Sequence, residues 1–394
     1  MPTPLTINIA QEKIDRIIAR VRDAAWPKAP AGKEAPAGKE APANGGWAYG
    51  TNLDYMKEFA AYWANEFNWR KAEAALNAFP QYTAPVTVDD ETLELHFYHV
   101  KSNRDDATPL ILSHGWPGSV FEFLHLIEPL TNPPKGEPAF HVVVPSLPGY
   151  GFSQALANPI SPRHIGAYFS MLMTEVLGYE RFMAQGGDWG GAITAGMALD
   201  CPACAAIHLN ILAWWSPGVG PETDEEKAHA EKANALEFFE GAYFRIQAAK
   251  PLSLGYALED SPIGFAAWVI EKWNTWSHTD GDNVESAYTK DQMLTNIMIY
   301  LVTDTVGTAL WPYRGIIEDA FGGAIEPGTR VEIPTAIANF PFELPLYTFP
   351  PRSQVERSYN IVQWTDFEAG GHFAAMEQPD ALVADIRKFA KAVT

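Results

Sequence analysis

From residue 91 onward the chain alternates short, uninterrupted apolar runs with helical stretches, and no other feature constrains the fold as much. ETLELHFYHV (91–100) alternates apolar and polar residues as a strand does. PLILSHG (109–115), FHVVVPS (140–146), RFMAQGG (181–187) and AAIHLNIL (205–212) are apolar runs too short for buried helices. Such runs mark strands covered on both faces. Between them lie FEFLHLIEPL and HIGAYFSMLMTEVLG, with helical spacing. A strand–helix–strand–helix order predicts an α/β fold with a mostly parallel, doubly wound sheet.

Between 213 and 330 the strand pattern lapses, and NALEFFEGAYFRIQ, FAAWVIEKWNTW and DQMLTNIMIYLVT read as helices. Strands return with VEIPTAIANF and YNIVQW, and DALVADIRKFAKAV closes the chain as a helix. The sheet is therefore expected in two parts, 91–212 and 331–394, interrupted after its sixth strand by a helical insertion at 213–330. Ligands bind at the carboxyl ends of such strands, so an insertion there predicts a lid. Residues 1–90 read as a helical extension. In QEKIDRIIARVRDAAWP (11–27), Ile14, Ile17, Ile18 and Val21 share one face and Pro27 ends the helix. NLDYMKEFAAYWANEF (52–67) is a second helix, rich in aromatics. The PAGKEAPAGKEAPA repeat between them has no apolar face and predicts a mobile loop.

A formal net charge of −20 repels phosphate backbones and anionic lipid, so nucleic acid is excluded as a partner. No apolar run reaches the roughly 18 residues of a membrane span, and the start carries no leader signal. A soluble, cytoplasmic protein is expected. Cys201 and Cys204, in CPAC, lack the second ligand pair that zinc requires and follow a helix instead of opening one. They are expected to be reduced structural thiols, with no metal and no cofactor. The extension is expected to wrap its own lid or that of a second copy, which leaves a homodimer open.

The stretch RFMAQGGDWGGAITAGMA (181–198) reads as a strand, a glycine-flanked turn and a small-residue helix. This is the layout of the nucleophile elbow of the α/β-hydrolase fold, with Asp188 in place of the usual serine. The plain alternative is a helix-capping aspartate in a glycine-rich turn. In that fold the histidine comes last, and EAGGHFAAMEQPD supplies His372. The acid falls between them, and NFPFEL offers Glu343 just past a strand. Asp366 and Glu368 are rivals on the strand and loop leading to His372. The oxyanion hole needs two backbone N–H groups. Trp189, next after Asp188, supplies one; Trp116 in HGWPGS is the candidate for the other. The Trp116–Pro117 peptide is a candidate cis bond.

A serine elbow attacks carbonyls. A carboxylate is ionised at neutral pH and needs no base to attack. It suits displacement at a saturated carbon, giving an alkyl ester on the enzyme. His372, oriented by Glu343, then draws a proton from water, which attacks the carbonyl carbon of Asp188. The substrate must carry a strained or good leaving group on carbon: an epoxide or an alkyl halide. An epoxide oxygen wants acidic hydroxyls, and a halide wants N–H donors such as the Trp189 indole. An esterase is disfavoured by Asp188, and an idle fold used for binding is disfavoured by the complete set of groups.

Together, HGWPGS, GGDWGG, FPFEL and GGHFAAMEQPD resemble the epoxide hydrolases of the microsomal and juvenile-hormone type. So do EGAYFRIQAAKPLSLGYALEDSPIG and TNIMIYLVTDTVGTALWPYR in the lid, and the resemblance spans nearly the whole chain. It implies the α/β-hydrolase fold with the family's N-terminal domain, and conversion of a small apolar epoxide and water to a vicinal diol. It places the ring-oxygen donors at Tyr243 and Tyr313 and the acid at Glu343. The plain alternative for each tyrosine is core packing. The chain differs from the microsomal members in having no membrane anchor at its start, which implies a soluble relative. A haloalkane dehalogenase with the same nucleophile is the other enzymatic reading. Trp268, Trp273 and Trp276 divide between core and pocket lining in a way sequence does not resolve.

Overall fold

The computed structural model describes residues 1–30, 46–212, 219–319, 328–344 and 347–393. Among these residues nine strands form one sheet: β1 (Thr3–Leu5), β2 (Gln81–Val88), β3 (Glu91–Val100), β4 (Thr108–Ser113), β5 (Phe140–Pro145), β6 (Phe182–Gly186), β7 (Cys204–Leu209), β8 (Val331–Asn339) and β9 (Tyr359–Asp366). They lie in the order β1-β2-β3-β5-β4-β6-β7-β8-β9. From β5 to β9 every neighbouring pair is parallel, and β1, β2 and β3 add an antiparallel edge. The apolar runs of the sequence are the parallel strands, buried because helices cover both faces: Leu110, Ile111, Val142, Val143, Ala184 and Ile207 are fully inaccessible.

The extension is not purely helical. It supplies β1 and β2, which with the five strands read at 91–212 make β7 the strand before the lid, where the sequence predicts the insertion after a sixth strand. QYTAPVTV alternates weakly and holds Pro85, which hides a strand that β3 pairs along its full length. The first helix spans Gln11–Arg22 and ends short of Pro27. It buries Ile14, Ile17 and Val21, each contributing about 1.5–3 kcal/mol of transfer free energy. The second spans Leu53–Asn65, where the Asn52 side chain accepts from the N–H groups of Asp54 and Tyr55. The repeat at 31–43 lies outside the described residues.

These helices dock on the chain's own lid. The Thr51 hydroxyl donates to the Ala267 carbonyl at 2.6 Å and the Tyr62 hydroxyl to Asp291 at 2.9 Å. Lys290 pairs with Glu58 at 3.0 Å and Arg20 with Asp260 at 2.6 Å. The described lid consists of the helices Asp224–Glu237, Ala242–Ala249, Pro251–Asp260, Pro262–Trp276, Lys290–Val302 and Trp311–Glu318. The stretch NALEFFEGAYFRIQ is therefore two helices, broken around Gly241. Prolines open or nearly open three of the lid helices, where the missing N–H costs nothing. Among the described residues no helix is long and apolar enough to cross a membrane.

Candidate active site

Four loops leave the carboxyl ends of parallel strands and converge. β4 ends at Ser113 and runs into HGWPGS; β6 ends at Gly186, two residues before Asp188. β8 ends at Asn339, four residues before Glu343, and β9 ends at Asp366, six before His372. Strand polarity alone gathers the four at one edge of the sheet.

Asp188 sits on the turn between β6 and the helix Trp189–Asp200, with φ 51° and ψ −130°. An L-residue rarely takes that conformation, and it costs on the order of 1–3 kcal/mol. Glycine makes the turn fit: a Cβ on Gly190 would lie 1.8 Å from the Ser113 carbonyl oxygen. Although Asp188 occupies the N-cap position, its side chain makes no capping bond. One oxygen, Oδ1, accepts from the Trp116 N–H at 2.8 Å. The other, Oδ2, lies 3.3 Å from His372 Nε2. Gly115 permits this approach, since a Cβ there would fall 2.1 Å from Asp188 Oδ1.

His372 Nδ1 lies 2.9 Å from Glu343 Oε2. The imidazole thus bridges two carboxylates. Burial alone would strip its proton, but Glu343 and Asp188 outweigh that and push its pKa up to about 10. The rival acids stand elsewhere: Asp366 accepts from Asn339 and the Trp364 indole, at 2.8 and 2.9 Å, and neither it nor Glu368 pairs with His372 among the described contacts.

The HGWPGS loop is pinned from both sides. Buried His114 is held neutral, its pKa pushed down to about 4, and bridges the Gly115 carbonyl and the Leu147 N–H. The Trp116–Pro117 peptide is cis. From the lid, Asn296 donates to the Pro117 carbonyl at 2.7 Å and accepts from the Ser119 hydroxyl at 2.7 Å, while the Tyr300 hydroxyl donates to the Gly118 carbonyl. The sequence reading missed Asn296 and Tyr300. They sit four residues apart on the helix Lys290–Val302, a spacing that puts them on one face.

Across from Asp188 the lid and core build an aromatic box. Trp116 stacks on Tyr243 with centroids 5.6 Å apart and meets Tyr313 edge-on at 6.0 Å. Trp189 meets Tyr313 edge-on at 4.6 Å, and Trp276 lies 4.7 Å from His372. Both tyrosines are buried, and burial first, with the Asp188 charge adding to it, holds their hydroxyls firmly protonated. Tyr243 Oη lies 2.7 Å from Tyr347 Oη, while among the described residues Tyr313 Oη makes no hydrogen bond of that length. The sequence reading missed Tyr347 as well; it follows Glu343 by four residues on an irregular loop without periodicity. Of the lid tryptophans, Trp276 faces the site and Trp273 packs between Tyr288 and Phe373. Trp268 donates to Gln247 at 2.8 Å. Cys201 and Cys204 are unbridged and lie outside this cluster.

Residues 2–123 match the family model described as epoxide hydrolase N terminus, and residues 108–303 match that of the alpha/beta hydrolase fold. The chain is 32% identical to juvenile hormone epoxide hydrolase 1 of Ctenocephalides felis over 97% of its own length and 84% of that protein's. The solved structure of Aspergillus niger epoxide hydrolase superposes with a TM-score of 0.81 at 30% identity, covering 100% of this chain and 97% of that one. Juvenile hormone epoxide hydrolase from the silkworm Bombyx mori gives 0.82 at 28% identity, covering 100% and 94%.

Proposed function

The chain belongs to the epoxide hydrolase family and hydrolyses epoxides, and from that premise we propose that it does so through a covalent ester on Asp188. One observation carries the reading: the two oxygens of Asp188 are divided between the Trp116 N–H at 2.8 Å and His372 Nε2 at 3.3 Å. Oδ2 is the attacking oxygen. It displaces the ring oxygen from carbon, and Tyr243 and Tyr313 donate to that oxygen as it gains charge. Hydroxyls fully protonated at neutral pH are suited to this role. His372 is the proton store that restores the tyrosine. With Asp188 esterified, one of the two charges holding the imidazolium is gone, so His372 gives up its proton and becomes a base.

Oδ1 is now the ester carbonyl and already faces the Trp116 N–H, with the Trp189 N–H proposed as second donor. Water adds to Cγ and gives a proton to His372. The negative charge lands on Oδ1, where a preorganised donor is worth about 2.7–4 kcal/mol. The Cγ–Oδ2 bond breaks, His372 protonates Oδ2 as it departs on the substrate carbon, and the diol leaves. The new carboxylic acid returns its proton to the imidazole. Glu343 fixes the ring and offsets its charge throughout. The aromatic box suits a small apolar epoxide.

A cytoplasmic setting belongs to the same reading and is supported by the two unbridged cysteines. So does a homodimer, which would cover Phe238, Phe239, Leu252 and Tyr256, exposed on the lid. Sedimentation of the purified protein tests the latter.

The test of the chemistry is a single turnover of styrene oxide in ¹⁸O-water with enzyme in excess, followed by peptide mass analysis. Label in the peptide holding Asp188, with diol as product, supports the covalent route. Diol without that label would mean direct attack by water on the epoxide.

A further inference from the structure

Beside Asp188 and His372 lies a cavity of about 20 Å³, room for one water. Glu122, Asn210, Phe373 and Ala374 also line it. Among the described residues neither Tyr243, Tyr313 nor any other lid residue borders it. It is walled by the loops and turns of the sheet domain, apart from the lid tyrosines. The enzyme therefore has two approaches to Asp188: one lined by aromatic rings and hydroxyls, the other small and polar.

Glu122 gives the second approach its character. It lies on a short 3₁₀ turn, Val120–Phe123, directly after HGWPGS. Its side chain is nine-tenths buried and folds back on the oxyanion loop: a Cβ on Gly118 would fall 1.4 Å from its Oε1. That glycine is what lets the carboxyl occupy this position. No cation pairs with Glu122 among the described residues, and the charges that act on it are those of His372 and Asp188. Burying a carboxyl beside another carboxylate, with no cation paired to it, costs several kcal/mol or forces the group to keep its proton, and the His372 charge offsets this only in part. Burial accordingly pushes its pKa up to about 8. In either protonation state it keeps an oxygen able to accept a hydrogen bond.

We propose that this cavity seats the hydrolytic water and that Glu122 holds it, accepting one of its hydrogens while His372 Nε2 accepts the other. The proposal rests on the covalent reading, since it concerns the second step only. In that step the water oxygen bonds to Asp188 Cγ, one proton passes to His372, and the other stays on the new oxygen with its hydrogen bond to Glu122. The Cγ–Oδ2 bond then breaks, and Oδ2, now on the substrate carbon, leaves with the proton from His372. Glu122 ends in the state in which it began. Two consequences follow from its place. Ester formation does not use Glu122, because the epoxide is served from the lid side. Ester hydrolysis does.

The two steps separate in a stopped-flow single turnover with styrene oxide, following indole fluorescence, with Trp116 and Trp189 flanking Asp188, and quenching for mass analysis of the ester. In Glu122→Leu, which removes the accepting oxygen, we expect ester formation within about twofold of wild type and ester hydrolysis slower by about 10–100-fold, so that ester accumulates, whereas Glu122→Gln keeps an accepting oxygen and should restore most of the hydrolysis rate. Ala374→Val, which adds bulk at another residue lining the cavity, is expected to give the same split. It keeps the test decisive should Glu122→Leu fold poorly. Hydrolysis at the wild-type rate in both Glu122→Leu and Ala374→Val would overturn the assignment, and so would equal slowing of both steps, the sign of a merely structural role. If no ester forms in wild type or in His372→Gln, the covalent reading itself fails and the assignment with it.

Discussion

The hydroxyls of Tyr243 and Tyr347 lie 2.7 Å apart, joining a lid helix to the loop that follows Glu343. Only one of the two can donate to the other. When Tyr243 turns its proton toward an epoxide oxygen, Tyr347 is left to donate to Tyr243 and to stabilise the charge developing there. Tyr347→Phe should therefore slow ester formation about tenfold, the worth of one hydrogen bond of roughly 1.4 kcal/mol, and leave ester hydrolysis unchanged. Single-turnover rates of the two steps check this.

Tyr243 and Tyr313 carry more weight. Each changed alone to Phe is expected to slow ester formation by about 10²-fold, the lower range for a positioned general acid, and both together by well over that. Wild-type rates in the double variant would reduce both residues to packing.

Glu343 and the two rival acids make a matched comparison. Glu343→Gln removes a carboxylate 2.9 Å from His372 Nδ1 and should depress ester hydrolysis by on the order of 10³-fold or more. Asp366→Asn and Glu368→Gln should turn over as wild type. A reversal of that order, read from kcat, would move the acid to β9.

Asn296 holds the Trp116 turn from above by two bonds of 2.7 Å. Asn296→Ala leaves the Pro117 carbonyl and the Ser119 hydroxyl without those partners, at a cost of about 1–3 kcal/mol each. The expected result is a lower thermal midpoint and a kcat reduced by about tenfold or more. Loss of stability with kcat intact would confine Asn296 to the fold.

His372 gives a pH signature. Its pKa is about 10 in the folded protein and near 6.5 in an unfolded chain. A raised pKa means that the folded state binds the proton more tightly. The resulting stabilisation is complete below about pH 6.5 and is lost as pH rises toward 10. The thermal midpoint of wild type minus that of His372→Gln should thus be greatest near pH 6 and shrink across that window. A difference constant with pH would show that the imidazole holds no extra proton.

Much of this molecule was legible in the residues because local physics wrote it there. Short apolar runs specify strands buried on both faces, and their alternation with helices specifies parallel neighbours. Parallel strands send their carboxyl ends to one edge, so Asp188, Glu343 and His372, each just past a strand, had to come near one another. Glycines on both sides of Asp188 announced a turn that only a residue without a side chain could support at 190. What lacked such a signal was missed or misplaced. β1 has three residues and β2 carries a proline, and both exist because β3 offers an edge to pair with. Tyr347 lies on an irregular loop, Asn296 in a helix whose register says only that it is buried, and Glu122 looks like one more charge on a helical turn. Their roles depend on contacts between residues as many as 182 positions apart. Sequence by itself determined the fold class and the place of Asp188 on a glycine-flanked turn after a strand, since periodicity and turn chemistry are local. Tertiary structure decided which hydroxyls, amides and carboxyls surround that carboxylate, since only packing sets distances between segments far apart in the chain.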